Sequence, residues 1–99
     1  MAIRLIISLA AAPGKGAAFA AAFEKRCQEV RTEPGCEQFE VFQSASNPDQ
    51  LVLLERWAGQ AALDAHAKMN QTRAPLPDGL RSTDPGAFQR EDYDYNRTR

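Results

Sequence analysis

Residues 51–69 read Leu51-Val52-Leu53-Leu54-Glu55-Arg56-Trp57-Ala58-Gly59-Gln60-Ala61-Ala62-Leu63-Asp64-Ala65-His66-Ala67-Lys68-Met69, and within them a strand hands over to a helix. Alternation puts Leu53, Glu55 and Trp57 on one face of the strand and Val52 and Leu54 on the other. Gly59 suits the N-cap of a helix over 60–69, on which His66 shares a face with Leu63, Ala67 and Asn70. The only histidine and the only tryptophan of the chain therefore fall near one another, with a carboxylate beside them.

Upstream, Asn47-Pro48-Asp49 is a turn, because Asn and Asp side chains bond their own backbone and proline fixes φ. It joins this strand to an earlier one over 36–44, making an antiparallel hairpin with a longish loop. In that earlier strand Phe39 and Val41 share one face, Glu40 and Phe42 the other. Glu33-Pro34-Gly35 ends the element before it, since proline disfavours α geometry in its predecessor and glycine tolerates the reversal. That element is a helix over 15–31, with Phe19, Phe23, Cys27 and Val30 in one apolar stripe. Pro13-Gly14 separates it from a first strand over 3–9, apolar enough to be buried on both faces. Downstream, residues 70–88 carry Pro75, Pro77, Gly79, Pro85 and Gly86. They read as a surface loop without regular structure, unusually long for a small domain. Residues 90–96 can form a fourth strand, polar on one side.

The order β-α-β-β-α-β is the split βαβ plan: an α+β, ferredoxin-like domain with an antiparallel sheet. Residues 1–99 are expected to form one domain, with its core in 1–70, an irregular loop over 71–89, and a last strand and tail over 90–99. Two helices cover one sheet face and leave the other bare, although Val52 and Leu54 lie on it. A partner normally covers such a face, which predicts a homodimer with the sheets face to face.

A chain of 99 residues has room for one core. Its formal net charge of -1 provides no concentrated basic face, so nucleic acid is not an expected partner. No run reaches the roughly 18 apolar residues of a membrane span. Residues 1–12 mimic a short leader, with Arg4, an apolar stretch and Ala10 to Ala12. Yet Ile3, Leu5, Ile7 and Leu9 share one strand face, which a leader does not require. Cys27 and Cys36 are fewer than disulfide-built secreted domains usually carry, so reduced thiols in a cytoplasmic protein are expected. One histidine, no close cysteine pair and no two-histidine helix motif leave no zinc or non-haem iron signature. Pro13-Gly14-Lys15-Gly16 lacks the spacing and hydroxyl of a phosphate-binding loop.

Val30-Arg31-Thr32-Glu33-Pro34-Gly35-Cys36, Asn47-Pro48, Leu54-Glu55-Arg56-Trp57 and Ala62-Leu63-Asp64-Ala65-His66 follow one another in an order that resembles the antibiotic biosynthesis monooxygenase family. Pro13-Gly14-Lys15 matches that family's strand-to-helix turn, and the likeness covers residues 3–69. It implies a dimeric α/β barrel whose protomers each hold an apolar pocket between helices and sheet. It also implies that a small phenolic or quinol-like aromatic is oxidised by molecular oxygen without flavin or metal, as in several members. Relatives with this architecture degrade haem or isomerise small sugar-derived signals. The chain departs from the family at 70–88, where members commonly reach their last strand sooner, and that region helps close the pocket.

His66 is the candidate proton acceptor: an imidazole can take a phenolic proton and leave an electron-rich anion able to reduce oxygen. The plainer alternative is a histidine at a helix edge, bonded to a backbone carbonyl or to water. Glu55, beside buried neighbours, must be paired, bonded or neutral. Either it pairs with Arg4 or an arginine of a partner chain, or it supports His66 or binds a substrate hydroxyl. Trp57 and Phe42 are expected to form an apolar wall for a planar aromatic, or simply core. Phe23 is expected to line the cavity, and Asn70 to add a polar contact. The leading expectation is thus a cofactor-independent monooxygenase of a small electron-rich aromatic. The alternatives are a non-catalytic dimeric barrel binding a small apolar ligand, and a haem-binding or haem-degrading enzyme with His66 as axial ligand.

Overall fold

Side-chain alternation along four strands sets the two faces of the sheet in the computed structural model, which describes residues 1–96. Residues 97–99, the tail of the expected last segment, lie outside the described residues. The elements are β1 (Ala2–Ala10), α1 (Gly16–Val30), β2 (Cys36–Gln43), β3 (Gln50–Trp57), α2 (Gln60–Gln71), one 3-10 turn (Pro85–Ala87) and β4 (Gln89–Tyr95). The sheet order is β2-β3-β1-β4 and every pairing is antiparallel, so the fold is ferredoxin-like βαββαβ.

The register places Leu5 opposite Glu55, Ile7 opposite Leu53 and Leu9 opposite Leu51. These residues lie under the helices, where Phe19, Phe23, Cys27 and Val30 of α1 and Leu63 of α2 complete the core. Each buried Leu or Phe side chain contributes roughly 1.5–3 kcal/mol by leaving water. The even positions of β1 and β3 point the other way and are only half-buried. The first strand is therefore buried on one face, not on both as its composition suggested.

Two close approaches fix the helices on the sheet. Lys15, the N-cap of α1, offers no side-chain hydrogen bond. Instead Asp49, in the β2–β3 turn, accepts from Gly16 N at 2.9 Å and Gly14 N at 3.0 Å, placing a carboxylate where a helix N-terminus favours one. On the other side, Gly35 has φ 81°, a left-handed conformation that glycine adopts without strain. A Cβ there would lie 2.5 Å from the Ala62 Cβ. The α1–β2 turn and α2 thus meet at a point with no room for a side chain, and this contact presses α2 toward Glu33.

The segment expected to lack regular structure is more ordered than that. Helix α2 continues to Gln71, and Pro85–Ala87 makes a helical turn capped by Asp84, which accepts from Gly86 N at 3.0 Å. Between them the chain runs beside the end of β1. Ala12 N donates to Leu80 O at 2.8 Å and Ser82 N to Ala10 O at 2.9 Å, bracketing a bridge between Ala11 and Arg81. Leu76 and Leu80 pack against the core. Among the described residues, no helix is long and apolar enough to cross a membrane.

Candidate functional site

The helices do not close completely over the sheet. A cavity of about 800 Å³ remains between α1, α2, the core face of the sheet and residues 75–83, a size suited to a small-molecule ligand. Leu5, Ile7 and Leu53 form part of its floor, and Phe19 and Phe23 part of its side. His66, Glu55 and Asn70 also line it. Of the residues singled out from sequence, His66, Glu55, Phe23 and Asn70 therefore meet at one cavity.

Trp57 and Phe42 do not form its wall. Trp57 is 0% exposed and lies behind the lining, its ring stacked on that of His66 with centroids 4.6 Å apart and planes at 30°. Phe42 is 48% exposed and pairs with Val52 on the opposite face of the sheet. The strand period makes this unavoidable, because Phe39 is buried on the helix side and Phe42, three positions further along, falls on the opposite face. Phe39, rather than Phe42, lines the cavity.

His66 is 8% exposed and its Nδ1 lies 3.0 Å from Glu33 Oε1. With the Glu33 carboxylate as acceptor, Nδ1 carries the proton, and Nε2 is left without a protein partner among the described residues. Glu33 itself is flanked by Arg73, whose Nη1 lies 2.7 Å from Oε2. Those two atoms are misaligned for a hydrogen bond, so charge rather than direction holds them. The histidine support expected from Glu55 thus comes from Glu33, in the turn that Gly35 lets α2 approach.

Glu55 is 3% exposed and its Oε1 accepts from Trp57 Nε1 at 2.8 Å. No arginine pairs with its side chain among the described residues. Arg4 sits on the opposite face, where it donates to Gln38 Oε1 and reaches only the backbone oxygen of Glu55. Burial pushes the Glu55 carboxyl above its ordinary value of 4.5, and the Trp57 hydrogen bond and the charges of His66 and Arg90 offset this only in part. The cavity thus holds an imidazole with one ring nitrogen unpartnered among the described residues and a carboxyl group that burial makes harder to ionise.

Other chemistries find less support. Burial pushes the Cys27 thiol up to about 12 and the Cys36 thiol up to about 11, which keeps both from acting as thiolate nucleophiles. Among the described residues, no three His, Cys, Asp or Glu side chains gather as metal ligands. For a haem iron, Nε2 of His66 is the one ring nitrogen not already engaged.

Glu33 and Arg73 were not singled out from sequence. Glu33 reads as part of a helix stop, and its bond to His66 spans a separation of 33 residues that no local pattern encodes. Arg73 stands in what reads as a loop.

The sequence profile of the antibiotic biosynthesis monooxygenase family matches residues 2–74. No curated protein matches the chain. Among solved structures, a Pseudomonas aeruginosa protein superposes with a TM-score of 0.75 at 21% identity, over 97% of this chain and 95% of its own. A conserved protein from Methanosarcina mazei gives 0.76 at 24% identity, over 97% and 94%. A Deinococcus radiodurans protein described as a candidate antibiotic biosynthesis monooxygenase gives 0.70 at 18%, over 99% and 95%. Such identities speak for a shared fold alone. The profile match over 2–74 reaches further: by it, the chain belongs to the antibiotic biosynthesis monooxygenase family.

Proposed function

We propose that the protein is a cofactor-independent monooxygenase that oxidises a small electron-rich aromatic, a quinol or phenol, with molecular oxygen. The observation that carries this reading is the state of His66: buried at the cavity, bonded through Nδ1 to Glu33, with Nε2 unpartnered among the described residues. His66 Nε2 takes a ring hydroxyl proton, and the resulting anion is a far better one-electron donor to oxygen than the neutral ring. For a quinol the balance is quinol plus O2 to hydroxyquinone plus water. The substrate supplies all four electrons, one oxygen atom enters the ring and the other leaves as water. Glu55, whose carboxyl burial holds above its ordinary value, lines the same cavity and in its protonated form donates a hydrogen bond to a substrate oxygen as charge develops there. Apolar side chains around the ring exclude water from the reacting anion.

The test is oxygen consumption with a panel of chemically reduced quinones, without added flavin or metal. Turnover is expected, and His66→Ala should lower kcat by roughly a hundredfold, within the range of a lost general base. An unchanged rate removes His66 from the mechanism. No uptake by any quinol leaves a dimeric barrel that binds a small apolar ligand. A Soret shift on haem titration, lost in His66→Ala, would instead favour a haem-binding protein. We also propose a homodimer joined through the bare sheet face, in keeping with a family whose members are typically dimeric, and a cytoplasmic location in which Cys27 and Cys36 stay reduced.

A further inference from the structure

Three guanidinium groups line the cavity, those of Arg26, Arg81 and Arg90. Two are already engaged. Arg26 donates to Ala74 O and lies 4.0 Å from Glu29. Arg90 makes two parallel N–H···O bonds to Asp92, at 2.7 and 2.9 Å. Arg81 has neither an ion pair nor a side-chain hydrogen bond among the described residues. Its Cζ lies 5.6 Å from the centre of the Phe19 ring, close enough for the ring face to hold the cation. The backbone does not leave Arg81 to chance either, because its bridge to Ala11 and the neighbouring Ser82 N to Ala10 O bond fix it against the end of β1.

Glu55 and Arg81 mark two ends of the cavity, and Arg90, which stands between them opposite Ile7, is already neutralised by Asp92. Glu55 stands opposite Leu5 and Arg81 opposite Ala11, and the chain from Leu5 to Ala11 spans about 20 Å at the rise of a strand. Phe19, Phe23 and Leu53 lie along the way. We infer that the ligand is an elongated aromatic carboxylate, its ring between His66 and Glu55 and its carboxylate on the Arg81 guanidinium. A guanidinium remains charged at any physiological pH and matches a carboxylate with two parallel N–H donors. Asp78 also lines the rim and makes no ion pair among the described residues. Its negative charge opposes a second charge on the ligand, which favours a carboxylate over a phosphate monoester. The fate of the ring rests on the oxygenase reading; the carboxylate end stands on Arg81 alone.

The experiment measures binding apart from turnover. 3-(2-Naphthyl)propanoate and its uncharged amide, neither of them oxidisable as a quinol, are titrated calorimetrically into the full-length protein at low salt. The acid should bind about tenfold tighter than the amide, the size of one charge-assisted contact at a partly exposed site. Arg81→Gln, which keeps the backbone bridge, should abolish that preference and leave the amide unchanged. Added salt should weaken the acid only, and Asp78→Asn should tighten it. Equal affinities, no binding of either probe, or a preference that survives Arg81→Gln would each overturn the proposal. An acid preference in a protein that oxidises no quinol retains the carboxylate site and removes the oxygenase; oxidation of quinols without the preference does the reverse.

Discussion

Trp57 joins two groups that share no hydrogen bond with each other. It donates to Glu55 and stacks on His66, so the indole sets both positions from behind the cavity. Folding raises the Glu55 pKa above 4.5, so the folded chain holds that proton more tightly than the unfolded chain does. Its contribution to stability is full below 4.5 and is lost as pH rises through the raised value. Glu55→Gln keeps an acceptor for Trp57 Nε1 and removes the titration. Thermal melts across pH should therefore show the variant losing less stability than the native protein as pH rises through that value, with an advantage of roughly a few degrees once the native carboxyl has ionised. Parallel curves would mean that Glu55 does not titrate in this window. Glu33→Gln still accepts from His66 Nδ1 but cannot balance an imidazolium charge. With a reduced quinone it should lower kcat by roughly tenfold and leave KM nearly unchanged, the pattern of an interaction stronger in the transition state. An equal loss in KM alone would assign Glu33 to the fold only. Periodicity gave the faces that His66, Glu55, Phe23 and Asn70 occupy, and the family resemblance supplied the pocket they were expected to share. Glu33 and Arg73 could not be placed in this way, because their roles depend on contacts between distant segments.

The elements were legible because each carries its period plainly. Strand alternation and the Phe19-Phe23-Cys27-Val30 stripe predict boundaries within one or two residues of those observed. Gly59 is the N-cap of α2, as read from sequence, but the capping of α1 was not legible, since the carboxylate serving it comes from Asp49 and not from the helix's own first turn. The path of residues 72–84 was hidden for a similar reason: proline and glycine mark irregular backbone, but nothing local says that Arg81 will bridge to Ala11. At this scale Gly35 is an exacting position, with a positive φ and no room for a side chain. Gly35→Ala must take a positive φ and drive its Cβ into Ala62, so denaturant unfolding should show a loss of about 2 kcal/mol. Because the displaced element is α2, the His66–Glu33 bond should loosen too, and turnover should fall further than the stability loss accounts for. Native stability in this variant would show that the contact yields.

For the molecule as a whole, the sheet has one finished side. Ile6, Val52 and Leu54 are half-buried and Phe42 is exposed on the side away from the helices, where Arg4 and Arg56 both lie over the Tyr95 ring at 4.9 and 5.1 Å. Light scattering at micromolar concentration should give a dimer, and Leu54→Lys, which places a charge in the middle of this face, should give a folded monomer by the same measurement with its far-UV circular dichroism retained. A monomeric native protein would dispose of the face-to-face dimer.

Of the four strands, the earliest in sequence lies in the middle of the sheet, and its second neighbour is the latest: Ala2 pairs with Tyr95. During synthesis β1 can gain β3 as soon as the hairpin emerges, yet one of its edges stays open until β4 has emerged. Closing so long a loop makes for slow folding, and an apolar open edge is a template for pairing with other chains. Chains released before β4 are therefore expected to aggregate rather than to fold as a smaller domain. An affinity tag placed after β4, by selecting chains that include it, would yield cleaner protein than one placed before β1.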